Sequence, residues 1–568
     1  MIHTPFDPSW LVHEDADLLV ANKPAFVSSQ SANEGDDDLA SRLGAWLSAR
    51  EGHPAYVGSH QRLDAMTSGL MVYARRKSAN ASLAKSFEGR QVVKTYVALV
   101  SGQFRGERRL KHSLVDVRGK MQVARNGHPG LNAEAVVRSV KVVGQRALVE
   151  LDLLTGRMHQ ARVQLAALGH PIVGDPLYGG EAAPRLFLHA KMLSFTHPSS
   201  GQQAKFHAPL PKEFDAWLRG QAWGAEVYDD TGSLMQALRW AVEKRYALLS
   251  DRQNTACRIV NEDGDGLPKL AVDRYGSFAV AQFYEDPIWS ADAGRKGRVL
   301  DALQRIGFEG VYEKTRPKQA NTVVDTRSDF WAPKEPSRGK AAPSPMVVTE
   351  HGVPFFAMLD DGLSTGVFLD QRANRAWFAK ECGGARVLNL FAYHGAFSVA
   401  AASGGAASIT SVDVSLVALG HAKEGVQALR FEGEHHCVAD DVFAWLARAA
   451  KRAHEFDVIV CDPPSYSTVR GKRWVASDHY AELAASVFAI AAPNARILFC
   501  TNHRKTGLPK FRALVDDGAS LAGVALASMR DAKPPHDYPV AIGDYPHLKS
   551  VKVVVSGCRE SSKGGAAR

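Results

Sequence analysis

The amino-acid sequence predicts a multidomain chain with a mixed α+β segment first, a small α+β unit in the middle and an α/β segment with an open doubly wound sheet last. Three observations predict this. With 568 residues the chain exceeds what one hydrophobic core organises. Residues 1 to about 220 hold short β-prone runs ("DLLVANKP", "TYVALVSG", "ALVELDLL", "AKFHAP") parted by Gly, Pro and Asn, the punctuation of a mainly antiparallel sheet. From about 346 strands alternate with helices, as parallel βαβ units require: "ARVLNLFAY" before "FSVAAASGG", "ITSVDVS" before "LVALGHAKEGVQAL", then "FDVIVCDPP" and "ARILFCTNH".

The middle stretch opens with the helical "SLMQALRWAVEKRYALL" and continues with "LAVDRYGSFAVAQFYED", strand-like on both sides of a Tyr-Gly turn. "DFWAPKEPSRGKAAPSPM" follows, rich in Pro, Lys and Ser, and reads as a linker or exposed loop. Domains are therefore expected at 1–220, 225–345 and 346–558, with a disordered basic tail at 559–568.

Composition narrows the classes. Hydrophobic residues make up 45% of the chain, yet no apolar run approaches the roughly 18–20 residues that span a bilayer. The start "MIHTPFDPSW" lacks the basic-then-apolar order of a signal peptide, so a cytoplasmic protein without membrane partners is expected. The six cysteines (Cys257, Cys382, Cys437, Cys461, Cys500, Cys558) form no Cys-x-x-Cys pair, so neither disulfides nor a metal site is expected. Net charge is +9, clustered in "YARRKS", "RGERRLKH", "EKTRPKQ", "VRGKRW" and "NHRKT", which suits either a polyanionic partner or solvated basic loops.

In "HQRLDAMTSGL" (60–70), Arg62 and Asp64 stand two positions apart ahead of the β-prone "LMVYARR". Extended chain returns alternate side chains to one side, so taken alone the two read as an ion pair. Tyr96 in "VVKTYVALVSG" reads by itself as a core tyrosine on a strand. "TGRMHQARVQLAALGHPIVGDPLYG" (155–179) gathers Arg157, His159, Gln160 and Arg162, and spacing does not decide which share a face.

Together with "LLVANKPAFV" and "RLFLHAKMLSFTHP", these blocks resemble, in order over residues 11–215, the RluA-type pseudouridine synthases. The resemblance implies that Asp64 is the catalytic carboxylate, that Tyr96 lies against the base and assists proton removal from C5, and that Arg162 pairs with Asp64. It also implies an RNA partner, met by Arg62, Arg157, His159 and Gln160. Chemistry agrees. An ionised carboxylate can attack C1′ or take the 2′ proton, an Arg partner keeps it ionised, and the base must leave its stack, with Arg62 placed to fill the gap. The sequence departs from the family in one respect: Gln61 stands where His usually precedes the Arg; a Gln can still hydrogen-bond RNA, so the departure bears on local contacts and target choice more than on chemistry. The small S4 module that many relatives carry in front is not expected, since the blocks start near residue 11.

In the third segment "VLNLFAYHGAFSVAAASGG" is only loosely Gly-rich and a weak dinucleotide fingerprint. Asp413 ends the next strand, where a carboxylate can accept ribose hydroxyls, and Asp462 precedes two prolines that hold the chain extended. With "DGDGLPKLAVDRYG", "GVFLDQRANR", "DDVFAWL" and "DPPSYS", these pieces resemble class I S-adenosylmethionine (SAM)-dependent methyltransferases with a Rossmann-like sheet, more narrowly the large-subunit rRNA methyltransferases of the RlmI and RlmK type, over about 255–555. The resemblance implies that Asn389, Phe391 and Gly395 lie in the cofactor loop, Asp413 on ribose and Asp440 near adenine. Asp462, Pro463 and Pro464 would line the methyl-transfer pocket, with Asp462 catalytic and Gln371 and Arg372 near its mouth. Arg473, Arg504 and Lys505, in "VRGKRW" and "NHRKTG", suit RNA phosphates.

Cytosine C5 methylation needs a thiolate to add to C6. In the cytosine enzymes that cysteine aligns with Asn502, and Cys500 falls two residues earlier, about 7 Å away along a strand. "FCTNHRKTG" resembles the guanine-N7 branch, where the lone pair of N7 needs only orientation. The expectation is a bifunctional RNA-modifying enzyme. One half isomerises uridine without a cofactor in rRNA or tRNA. The other transfers methyl from SAM to an rRNA base, guanine N7 ahead of cytosine C5. The alternatives are a half that has become an RNA-binding module and, disfavoured by the basic loops, small-molecule methylation.

Overall fold

The computed structural model describes residues 6–30, 38–124, 130–220, 224–317, 328–469, 472–541 and 544–557. The chain divides into two compact units: 1–247 with 262–268, and 248–261 with 269–568. The expected basic tail lies outside the described residues. No described helix is long and apolar enough to cross a membrane.

The first unit is built on ten strands: β1 (Leu11–Glu14), β2 (Leu18–Lys23), β3 (Ser68–Ala74), β4 (Val93–Ser101), β5 (Glu107–Val117), β6 (Lys120–Val123), β7 (Leu131–Val143), β8 (Arg146–Leu153), β9 (Leu188–Thr196) and β10 (Gln203–His207). Their order is β1-β2-β3-β9-β4-β8-β7-β5-β6, with β10 beside β9. Every pairing is antiparallel except β3 with β9. The all-buried β3, "SGLMVYA", is apolar from Leu70 to Val72 because both its faces are covered. Met71 and Tyr73 share a core with Val97, Leu99, Phe187, Phe214 and the helix Leu39–Glu51 through Leu39, Leu43 and Leu47. At Gly69 (φ +118°) a Cβ would come within 2.4 Å of the Ala190 backbone, so only glycine lets β3 meet β9 there. The helix Thr231–Glu243 also packs in this unit, where Arg245 pairs with Asp265 at 2.7 Å. The compact unit thus runs past the composition change near 220.

The second unit begins with a five-stranded sheet in sequential order: β11 (Ala256–Asn261), β12 (Leu270–Tyr275), β13 (Phe278–Tyr284), β14 (Gly310–Arg316) and β15 (Arg338–Gly339). Tyr275 pairs with Phe278 around the Tyr-Gly turn, as the sequence predicts. The helix Gly294–Arg305 carries the one parallel crossover, from β13 to β14. Part of the expected linker is structural: Arg338 and Gly339 add β15 to the edge of β14. A hairpin of β16 (Met346–Glu350) and β17 (Val353–Ala357) follows.

Next come β18 (Arg386–Leu390), β19 (Ser408–Asp413), β20 (Glu434–Ala439), β21 (Phe456–Cys461), the hairpin β22 (Tyr466–Val469) and β23 (Lys472–Val475), then β24 (Ala491–Thr501), β25 (Leu526–Ala532) and β26 (Lys549–Val555). The large sheet runs β20-β19-β18-β21-β24-β26-β25. Its first five strands are parallel and β26 is antiparallel to both neighbours. The order reverses at β18, so the carboxyl ends of β18, β19 and β21 open on a shared crevice, the usual ligand position of such sheets.

Candidate active sites

In the first unit, Asp64 stands in the loop before β3. That loop is fixed from beneath by Lys23, a lysine with no exposed surface whose Nζ donates to the carbonyls of Val27 (2.7 Å), Pro24 (3.1 Å) and Ala65 (3.1 Å). Arg162, on the helix Gln160–Ala167, donates from Nη1 to Asp64 Oδ2 at 3.0 Å. Its other edge grips Asp175, itself 0% exposed, through two bonds of 2.7 and 2.8 Å. Burial opposes the Arg162 charge, yet Asp175 and Asp64 together raise its pKa above the usual range. A guanidinium clamped between two carboxylates holds Asp64 in one place.

Tyr96 is brought to the same place from β4. Burial, then the Asp64 charge, push its phenol well above the ordinary range, while the Gln61 amide pulls it back. The ring is therefore protonated near neutral pH, better suited to lie against a base than to take a proton unaided. His159, in a left-handed conformation (φ 53°) at the start of the helix, has Nε2 3.7 Å from Asp64 Oδ1 and Nδ1 3.1 Å from the Tyr178 hydroxyl. Burial holds its imidazole below the usual range.

The structure separates the other expected RNA contacts. Arg62 is exposed and makes no ion pair with Asp64, so the two do not form the bland salt bridge. Arg157 Nε donates to the Asn132 carbonyl at 3.0 Å. Gln160 is corrected: it is 2% exposed, and its amide is spent on Thr155, Arg157, Glu134 and Gln164, so it shapes the turn rather than meeting RNA. Gln61 is corrected likewise: at 6% exposed it donates to the Leu70 carbonyl at 3.0 Å.

In the second unit, Asp413 at the end of β19 accepts from the backbone N–H of Tyr393 (2.8 Å) and Ser415 (2.9 Å), which aims it over the loop after β18. Phe391 and Tyr393 in that loop are left-handed (φ 57° and 49°). Gly395 is left-handed as well, and a Cβ there would come within 2.4 Å of Ala422. This tight loop, facing a carboxylate with lone pairs to spare, fits a ribose diol and the cofactor it belongs to. Asp440 lies one strand over, bonded to Arg448, with Phe391 and Phe443 rings 6.2 Å apart nearby. Asn389 does not face the loop: it donates to Ser398 at 2.9 Å within the buried sheet.

At the end of β21, Asp462 Oδ2 accepts from Gln371 Nε2 at 2.8 Å, while its buried Oδ1 has no hydrogen-bond partner. Burial, then the neighbouring Asp370 carboxylate, raise the Asp462 pKa to about 7. Pro463 is buried and Pro464 exposed. Arg372 is corrected: at 4% exposed it is paired with the buried Asp537 at 2.5 and 3.1 Å, a structural tie rather than a residue at a mouth. Arg504 and Lys505 are exposed and line a cavity of about 640 Å³ with Asn502 and Asp370. The side chain of Arg473 lies outside the described residues. Cys500 is fully buried, 3.3 Å from Ser550 Oγ, and burial followed by the Asp462 charge push its thiol well above the ordinary range.

Sequence reasoning missed Lys23, Asp175, Asp370 and Asp537. Asp175 lies inside the quoted "GDPLYG" stretch, and Asp370 directly precedes Gln371 inside the quoted "GVFLDQRANR". Among the described residues Asp15, Asp17 and His197 group closely enough to hold a metal. Asp15 already accepts from His13 and two backbone N–H groups, and Asp17 pairs with Arg76 at 2.8 Å.

Comparison with known proteins finds a match in each unit. The profile of RNA pseudouridylate synthases matches residues 17–167, and that of S-adenosylmethionine-dependent methyltransferases matches 339–541. The chain thus joins an RNA pseudouridylate synthase to a SAM-dependent methyltransferase. YwbD of Bacillus subtilis (strain 168), whose name assigns it provisionally to the ribosomal RNA large subunit methyltransferases, is 31% identical over 417 residues, covering 71% of this chain and 99% of its own. Ribosomal RNA large subunit methyltransferase I of Aeromonas salmonicida is 28% identical, covering 59% of this chain and 84% of its own. The crystal structure of SMU.776, provisionally described as a methyltransferase and complexed with S-adenosylhomocysteine (SAH), is 27% identical with a TM-score of 0.51, covering 57% of this chain and 82% of that one. The chain belongs to the ribosomal RNA large subunit methyltransferase family and carries a pseudouridine synthase in front.

Proposed function

We propose that the first unit isomerises uridine in ribosomal RNA, with transfer RNA as second candidate, and that the second methylates N7 of a guanine in ribosomal RNA. The names of the relatives support the rRNA assignment. The observation that carries the isomerase role is the Asp64 carboxylate held 3.0 Å from an Arg162 that Asp175 anchors. Asp64 would attack C1′ or take the 2′ proton, Arg162 aims it, and Tyr96 packs on the base while it turns to rejoin through C5. Arg62, exposed beside Asp64, fills the gap the base leaves.

Bound SAM supplies an electrophilic methyl group. Asp413 holds its ribose, the loop of Phe391 and Gly395 encloses it, and Asp462 with Pro463 and Pro464 orients the acceptor base. The observation favouring guanine N7 is that Asn502 lines the cavity while Cys500 is buried with a thiol that burial keeps protonated. Cytosine C5 needs a thiolate. N7 forms its bond with its own lone pair, the pair of the broken S–C bond stays on sulfur, and no proton has to leave.

The test is nucleoside mass spectrometry of unmodified ribosomal and transfer RNA after incubation with the protein and SAM. Pseudouridine lost only with Asp64→Ala, and 7-methylguanosine lost only with Asp462→Ala, are expected. 5-Methylcytidine as the methylated product would defeat the guanine assignment, and a wild-type protein that leaves uridine unchanged in every RNA would defeat the isomerase.

A further inference from the structure

The cavity of about 640 Å³ in the second unit has the size of a site that encloses a nucleotide-sized ligand. One wall is the polar face of the small sheet, where a hydrogen-bond chain runs over the four strands β11 to β14. Arg258 grips Asp273 on β12 (2.6 and 3.1 Å), Gln282 on β13 donates to the same carboxylate, and Arg316 on β14 donates from Nε to Gln282 Oε1 at 2.8 Å. The chain fixes the Arg316 plane while using only Nε. Its two terminal nitrogens make no hydrogen bond or ion pair among the described residues.

Asp370 lines the same cavity from the short turn Leu369–Gln371, one residue before the glutamine that binds Asp462. Its carboxylate lines the cavity and accepts no bond from another described side chain. Burial raises its pKa, against the pull of Arg258 and Arg375. A half-buried carboxylate met by no side chain, only by its own backbone N–H, and a fixed guanidinium with two terminal nitrogens to spare are costly unless a ligand meets them.

Guanine meets both. Its N1–H and N2 amino are adjacent donors that a carboxylate accepts together, and its O6 is an acceptor for a guanidinium. Adenine and cytosine instead present a lone pair, at N1 and N3, where guanine has N1–H. We propose that this cavity takes the target nucleotide, flipped from its stack, and reads it as guanine, with Asp370 accepting from N1–H and the N2 amino, Arg316 donating to O6, and Arg504 and Lys505 meeting its phosphate. N7 is left open. The assignment rests on guanine being the methylated base.

The experiment titrates the full-length protein, saturated with SAH, with GMP, AMP and CMP, following binding by saturation-transfer NMR and SAH affinity by calorimetry. GMP binds at least fivefold more tightly than AMP or CMP. Asp370→Asn and Arg316→Gln each weaken GMP at least fivefold, leaving AMP and CMP unchanged and SAH within twofold. Wild-type protein without a GMP preference overturns the assignment, as do variants that bind GMP like wild type. Loss of SAH binding in Asp370→Asn overturns it too, because Asp370 would then belong to the cofactor site. The failure of the underlying reading is separate: it is 5-methylcytidine in the RNA product, whereas 7-methylguanosine with unaltered variant binding defeats this assignment alone.

Discussion

Asp175 never reaches the substrate in the arrangement described, yet replacing it by Asn should cripple the first site. Asp175 is 0% exposed, grips Arg162 at 2.7 and 2.8 Å, and accepts the Leu177 N–H at 3.0 Å. Asn keeps the shape and one acceptor but removes the charge, leaving the buried guanidinium only half neutralised. Breaking one partner of such a pair costs roughly 3–5 kcal/mol; with Asn retaining part of the bonding, about 3 kcal/mol is expected, or some 6–12 °C in the melting of the first unit. Arg162 then relaxes toward Asp64 and shifts it. A displacement near 1 Å costs on the order of 100-fold in rate. The assay is single-turnover pseudouridine formation on a fixed RNA, with methyl transfer by the same preparation as internal control. A variant that isomerises uridine within threefold of wild type, or loses both activities equally, would refute the claim that Asp175 positions Asp64 through Arg162.

Three further outcomes follow from the second unit. Asp462 has a folded pKa raised from 3.8 to about 7, so its contribution to stability is present in full below about pH 4 and lost as pH rises through 7; Asp462→Asn should abolish a loss of up to about 4 kcal/mol across that window, of which about 3 kcal/mol is read by chemical denaturation at pH 5 and pH 8. Gly395→Ala meets both a positive φ and Ala422 at 2.4 Å, so about 2–4 kcal/mol of destabilisation and weakened SAH binding by calorimetry are expected. Cys500→Ala should leave methyl transfer within a few-fold of wild type, whereas a loss of 100-fold or more would restore the thiolate mechanism that its burial argues against.

Much of this was legible in the sequence because the signals were local. Alternation of strand and helix announced the large sheet, and the Tyr-Gly pair the hairpin of β12 and β13. The Asp64–Arg162 pair was reached through family blocks, since its 98-residue separation is invisible to periodicity. What failed was the direction of side chains. Gln160, Arg372 and Asn389 sit in the expected stretches but turn into the protein: Gln160 and Arg372 satisfy partners from other segments, Glu134 and Asp537, and Asn389 bonds Ser398 nine residues on. Residue type and spacing carry no record of those long-range partners. Nor did the lysine-rich middle stretch reveal that two of its residues would close the edge of the small sheet.

Lys23 spends its three donors on the carbonyls of Pro24, Val27 and Ala65, tying the segment around Asp64 to β2. The nucleophilic end of the reaction is thereby settled before any RNA arrives, and the conformational search on encounter falls to the nucleic acid. Affinity should then track how easily a given RNA surrenders its uridine: loops, bulges and weakly stacked steps would be modified first, and rigid duplex last, even at identical sequence. Substrate choice in the first unit would be governed as much by the softness of the RNA as by the letters it presents.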